Sequence, residues 1–214
     1  MRILFNDRIQ HSNAPKELKS PALSQTLPVR GVLSVRLDRE SLIDCVGIGN
    51  TDGRLFRVNG QEIAFNGNGL YILPRRITAA VLTIETAASH IGRLAAGLAV
   101  NIPTSVAKEP AFRSTAEPRI TLSGQVVPGL GGYAYRTLSL DSRYKIGREA
   151  MSEIEAGYRY IGMGYPFFID LADEAYKLPF DKLYATDTRQ QSLGFESGVR
   201  RFLYSRRWEF RECF

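Results

Sequence analysis

The stretch from Arg201 to Phe214 constrains the fold more than any other part of this sequence. Read with a period of two, Phe202, Tyr204, Trp208, Phe210 and Phe214 point one way, while Arg201, Arg207, Glu209 and Arg211 point the other. One face is aromatic and the other charged, as a half-buried strand requires. At roughly 3.3 Å per residue the run would span about 45 Å, well beyond an ordinary strand. Arg206 and Glu212 interrupt the aromatic face, so a bend or bulge is expected there, and part of the run is expected to leave the body of the protein. On this reading Phe202, Tyr204, Arg206, Trp208 and Phe210 are candidate interface residues, on an exposed strand edge open to a neighbouring chain.

The rest of the chain reads as mainly β. Leu33, Val35 and Leu37 alternate with Ser34 and Arg36, and Ile43 to Ile48 form a second apolar run. Asn59-Gly60 tolerates the positive φ angles of a type I′ turn. A hairpin there sets Val58 opposite Gln61, Arg57 opposite Glu62 and Phe56 opposite Ile63, so an ion pair and an apolar pair support one register. Asn66-Gly67-Asn68-Gly69 is a further turn, followed by strands over Leu70 to Leu73 and Ile77 to Glu85. Ile91-Gly92-Arg93-Leu94-Ala95-Ala96-Gly97 is rich in small residues, which suits close backbone approach in a strand and disfavours a helix. After Thr104 to Pro118 loses its pattern, Arg119 to Val127 and Tyr133 to Ile146 read as an antiparallel pair joined at Pro128 to Gly132. The one convincing helix is Arg148 to Ile161, with Met151, Ile154, Tyr158 and Ile161 on one face and glycines at 162 and 164 to stop it. Tyr165 to Asp170 reads as a strand entering the core, and Ser192 to Phe195 as a short one.

The expected organisation is therefore an N-terminal strand and extended arm over 1–28, a β-sandwich or jelly-roll unit over 29–103, a linker over 104–118, and a second, α+β unit over 119–214 that carries one helix. Arg2 to Phe5 suits one edge strand. The stretch from Asn6 to Leu27, in which polar residues dominate and which Pro15, Pro21 and Pro28 punctuate, reads either as a disordered leader or as an arm lying on a partner.

Charge and motifs narrow the chemistry. The net charge of +6 and isoelectric point near 9.4 come from scattered arginines and doublets such as Arg75-Arg76 and Arg206-Arg207. These sit in strand-like segments without a binding module, so nucleic acid is not an expected partner. Cys45 and Cys213 are isolated, which supports neither a redox pair nor a zinc site. No signal peptide and no membrane-spanning run is read, so synthesis in the cytoplasm is expected without membrane insertion. Gly49-Asn50-Thr51-Asp52-Gly53 spaces its oxygens as a calcium loop begins, but lacks the remaining ligands and reads as a turn. Gly129-Leu130-Gly131-Gly132 lacks the Lys-Ser/Thr of a phosphate loop. His11 and His90 are too few for a triad plus a metal site, and adjacent Ser89 and His90 should face opposite ways on a strand. Asp170, Asp173 and Glu174 cluster at a turn, where acids are usually solvated, and the enzymatic alternative is a cell-wall hydrolase using Asp170 and Glu174. Tyr158, Tyr160, Tyr165, Phe167 and Phe168 suit core packing or, alternatively, a sugar-stacking platform. Neither a catalytic residue nor a cofactor is assigned, and the expectation is a non-enzyme.

Two stretches carry resemblances. Leu33-Ser34-Val35, Asp44 to Gly49, Val81 to Ile84 and Ile91-Gly92-Arg93-Leu94-Ala95-Ala96-Gly97 together resemble discoidin-like, galactose-binding-like β-sandwiches of bacteriophage structural proteins. Tyr160 to Asp170, with the closing Tyr204 to Phe214, is similar to the β–helix–β ending of tailed-phage tail-tip and baseplate proteins. The resemblance implies a virion tail component that forms a trimeric or hexameric ring and contacts other phage tail proteins. The alternative it leaves open is a carbohydrate-binding module that meets host-surface glycans through Asn50, Asp52, Asn66 and Asn68.

Overall fold

The C-terminal alternation divides into two strands in the computed structural model: Leu203–Tyr204 pairs with Ile146–Gly147 in a two-stranded sheet, and Arg207–Glu212 is an inner strand of a seven-stranded one. The structure describes residues 1–10, 12–102, 105–114, 119–120, 122–123, 125–127, 134–142, 146–161, 165–171, 182–188, 203–204 and 207–213. These form a mainly β molecule built on two antiparallel sheets and one long helix. In chain order the elements are β1 (Arg2–Leu4), α1 (Lys16–Lys19), β2 (Leu27–Pro28), β3 (Gly31–Thr51), β4 (Leu55–Val58), β5 (Gln61–Ala64), β6 (Gly69–Thr86), β7 (His90–Gly97) and β8 (Val100–Asn101). They continue with β9 (Ser105–Ser114), β10 (Arg119–Ile120), β11 (Val126–Val127), β12 (Ala134–Asp141), β13 (Ile146–Gly147), α2 (Arg148–Ile161), β14 (Phe167–Asp170), β15 (Lys182–Asp187), β16 (Leu203–Tyr204) and β17 (Arg207–Glu212).

The six-stranded sheet runs β2-β7-β3-β6-β4-β5. The two apolar runs read separately in the sequence belong to one strand of 21 residues, β3, paired along most of its length with β6. Two irregularities bend this ribbon. Between Arg36 and Ser41 several β3 residues oppose one of β6, and between Ile43 and Cys45 the excess lies on β6, where Pro74 cannot donate to a ladder. The bends let both halves enclose a single core, in which Val35 and Leu82 from one half join Val46, Ile48, Ile91 and Leu94 from the other.

The expected hairpin is present in the expected register, with Asn59 at φ 46° and Gly60 at φ 79°. The Arg57–Glu62 pair closes at 3.8 Å on the surface, where it contributes little. Two side chains here complete the edge of β6. The Asn59 carboxamide accepts from Thr83 N–H at 2.7 Å, and Gln61 exchanges two hydrogen bonds with the Arg75 backbone at 2.7 and 2.8 Å.

The seven-stranded sheet runs β8-β1-β14-β15-β17-β12-β9. It corrects two expectations. Ser105–Ser114, expected within a linker, is a strand paired with β12, and β1, expected as an edge strand, lies between β8 and β14. Alternation then gives this sheet two buried faces. Ile3, Phe5, Phe167 and Ile169 pack toward α2 with Met151 and Ile154, while Leu4, Phe168 and Tyr184 turn the other way and meet Cys45, Leu70 and Ala95 of the first sheet. Gly47 permits that contact, because a Cβ there would collide with the edge of the Phe168 ring. On α2, Gly157 is backed by Phe5 in the same way. The helix has the expected bounds, and Glu155 precedes Arg159 by four.

Trp208 and Phe210 are not interface residues. Both are fully buried, stacked at 5.9 Å, on a strand enclosed between β15 and β12, because the alternation that looked like an exposed edge fills the space beneath α2. The indole N–H donates to Ser142 Oγ at 3.0 Å, which satisfies its one polar atom. Tyr204 contributes its backbone to a pair with Ile146, while Phe202 and Arg206 lie outside the described residues, as do Phe214 and the 192–195 segment. Replacing Trp208 by Ala is expected to cost about 3–5 kcal/mol in urea unfolding. A loss under 1 kcal/mol would contradict its place in the core.

Candidate functional site

The residues that the fold gathers around one feature are those that hold the chain from Asn6 to Pro28. This segment, expected as a leader or a partner-seeking arm, lies along the chain's own β7. Ile9, Leu18 and Leu23 are buried beneath it. Four of its backbone carbonyls are gripped in turn by side chains from four parts of the body. Arg93 donates to Leu18 O at 3.1 Å, Tyr165 to Lys19 O at 3.2 Å, Tyr184 to Pro21 O at 3.0 Å and Asn50 to Leu23 O at 2.6 Å. Such contacts read the path of a peptide and not its side chains, and Leu18 and Leu23 supply the apolar anchors. Burial pushes the Tyr184 hydroxyl far above its ordinary range, so it remains a proton donor.

The glycines of β7 explain how the arm comes so close. A Cβ at Gly92 would stand 2.8 Å from the Leu23 carbonyl, and one at Gly97 would collide with the carbonyl of Asn6. Between them, Arg93 is only 3% exposed and reaches Asp7 at 2.6 Å and Gln10 at 3.1 Å. Asp7 also accepts from Ile9 N–H at 2.9 Å and Ala96 N–H at 3.1 Å, tying the arm to β7 through one carboxylate. Burial raises the Asp7 pKa above its ordinary value of 3.8, and the Arg93 charge with the surrounding amides offsets only part of that. The Arg93 Nε–H has no partner among the described residues. Arg93, Asp7, Gln10, Tyr165 and Phe168 line a cleft of about 150 Å³, below the roughly 300 Å³ at which ligand pockets usually begin.

The four loop residues assigned to glycan contact meet at one end of the first sheet, but each is engaged within the chain. Asn50, at φ 46°, donates its backbone N–H to Asn68 Oδ1 at 2.8 Å, joining the two loops. Tyr71 donates its hydroxyl to Asn66 Oδ1 at 3.1 Å. Asp52 accepts from Ser89 Oγ at 2.7 Å and Ser89 N–H at 2.9 Å, and these bonds hold its carboxyl below the usual carboxylate range. Ser89 and His90 do not face opposite ways. Ser89 precedes the start of β7, so its hydroxyl lies 3.0 Å from His90 Nδ1, with Asp52 3.5 Å from the same nitrogen. A catalytic triad needs serine and aspartate on opposite ring nitrogens, so this is not one.

Asp170, the proposed hydrolase carboxylate, is 5% exposed and sits between Arg2 at 3.4 Å and Lys182 at 3.9 Å on the two flanking strands. It closes a row of charges across three strands. Glu174 lies outside the described residues, as do His11 and the 129–132 glycine run. Among the aromatics, Phe167 and Phe168 are buried, Tyr158 donates to Asp187 at 2.7 Å and Tyr165 faces the arm, while the Tyr160 side chain lies outside the described residues. Among the described residues no group of three or more His, Cys, Asp or Glu side chains is placed to hold a metal ion. No helix among them is long and apolar enough to cross a membrane. Compared with protein families, curated proteins and solved structures, the chain matches none of them.

Removing the Arg93 charge leaves Asp7 buried without a counterion, so Arg93→Met is expected to cost about 3–5 kcal/mol at neutral pH. Asp7 then holds its proton more tightly in the folded than in the unfolded chain. Its contribution to stability is present below the ordinary carboxylate pKa of 3.8 and is lost as the pH rises toward the raised folded value. The deficit relative to wild type should therefore be smaller at pH 4 than at pH 7 in denaturant titrations, and Asp7→Asn added to Arg93→Met should recover part of it. A deficit independent of pH would show that the charge of Asp7 is not what Arg93 compensates.

Proposed function

We propose that the protein is a structural component of a phage virion tail, in the tail tip, baseplate or adaptor ring, where it assembles with neighbouring tail proteins and with copies of itself. The observation that supports this reading is how the chain uses its polar side chains. Arg93, Tyr165, Tyr184 and Asn50 hold the backbone of an arm, Asp52 and Asn68 join loops, and Asn66 is held by Tyr71, so the loop residues that sequence reasoning offered to glycans work as fasteners. Two sheets sharing an apolar seam and a peptide groove suit a rigid part that meets other protein parts. The resemblance of the β7 segment and of the closing strand to phage tail proteins points the same way.

Glycan binding at the loops would require Asn50 or Asn68 to give up bonds that fix the arm and join the loops, which favours the structural role over the carbohydrate-binding one. The test is direct. Particles of the phage that encodes this chain, purified by density gradient and analysed by quantitative mass spectrometry, are expected to contain it at a small fixed multiple per tail. Its presence in the lysate but not in particles would overturn the proposal.

A further inference from the structure

The contacts that hold the arm do not use the whole guanidinium of Arg93. One terminal nitrogen donates to Gln10 and to the Leu18 carbonyl, each at 3.1 Å, and the other donates to Asp7 at 2.6 Å. The Nε–H is left over, on a side chain only 3% exposed, with no partner among the described residues. A buried donor without an acceptor has lost its hydration and gained nothing in return, so folded chains leave few of them. Arg93 lines the cleft of about 150 Å³ described above, which offers a place for an acceptor.

The cleft lies at the end of β1 and the start of β14, where the two cores adjoin. Phe5 and Phe167 line it from the helix side, and Ala95 and Phe168 from the side of the first sheet. All four are buried, whereas Gln10, Tyr165 and Pro166 are half-buried and form the opening. Tyr165 is fixed there by its bond to Lys19 O, so the mouth is shaped in advance. An apolar cavity of about 150 Å³ takes up a molecule the size of benzene. A wholly apolar guest would leave the Nε–H unmet. Charge is constrained as well. Asp7 already neutralises the guanidinium, so an anion would set a second negative charge beside a buried carboxylate, and a cation would be desolvated next to Arg93.

We infer that this cleft is a binding site for a small uncharged molecule with a flat apolar body the size of a benzene ring and one hydroxyl or carbonyl oxygen. The oxygen accepts from Arg93 Nε–H, and the body packs against the phenylalanines. Phenols and small aromatic ketones have this form. The site goes beyond the structural role proposed above and requires no partner protein.

Phenol and toluene have nearly the same shape and differ in the acceptor, so they separate the polar contact from simple filling of the cleft. Each is titrated into the intact chain at neutral pH and followed by NMR at the assigned Arg93 Nε–H resonance. Phenol is expected to shift that resonance saturably and to bind at least about tenfold more tightly than toluene, the effect of one hydrogen bond from a charged donor. Benzoate is expected to bind more weakly than phenol. A resonance that phenol leaves in place, or moves without saturation, would overturn the inference. Equal affinity for phenol and toluene would overturn it too, because the Nε–H would then select nothing. Tighter binding of benzoate than of phenol would contradict the neutral character assigned to the site. None of these outcomes bears on whether the chain is found in particles.

Discussion

The contact between Asp7 and Arg93 is the constraint on which the rest of the arrangement depends. A guanidinium that is almost fully buried needs a counter-charge, and the chain supplies it from 86 residues upstream. Meeting that need draws the N-terminal arm across β7. The arm in turn covers Leu94 and Ala96 with Ile9 and Leu18, and carries Leu23 into the seam between the sheets. A buried ion pair is weak evidence of net stability, because desolvation opposes the Coulomb gain. Its stronger effect is on specificity, since one carboxylate fixes which stretch of the arm lies against which stretch of strand.

The second organising fact is that β1 and β14 serve two cores at once. Leu4 and Phe168 face the first sheet while Ile3, Phe5, Phe167 and Ile169 face the helix, so a strand of three residues and one of four link the layers. The division into two units joined by a linker therefore gives way to an interleaved plan. Residues from both ends of the chain and from its middle form one sheet, and the segment expected to connect the units forms that sheet's outer strand.

Much of this plan was legible in the residues, and what was legible was local. The Asn59-Gly60 hairpin, the α2 helix and the β7 strand follow from turn chemistry and from periods of two and 3.6, which are properties of neighbouring residues. The small residues of β7 even signalled a close backbone approach, though not what would approach. The misreadings concern distance along the chain. Trp208 and Phe210 alternate as an exposed-edge strand would, and nothing nearby in sequence says that α2 will cover them. The arm has no periodicity because its backbone is held by side chains of the body instead of a ladder, and a contact such as Tyr184 to Pro21 leaves no local trace. The Asn50 and Asn68 loops looked available for the same reason. Each is satisfied by a group far away in sequence.

Native-state amide hydrogen exchange tests the central claim, that the arm belongs to the core of its own chain. Ile9 N–H and Ala96 N–H share the Asp7 carboxylate. The account requires them to exchange with similar opening free energies, near that of the global unfolding reaction. Rapid exchange at Ile9 beside strong protection at Ala96 would mean that the arm detaches independently, and the account would be wrong.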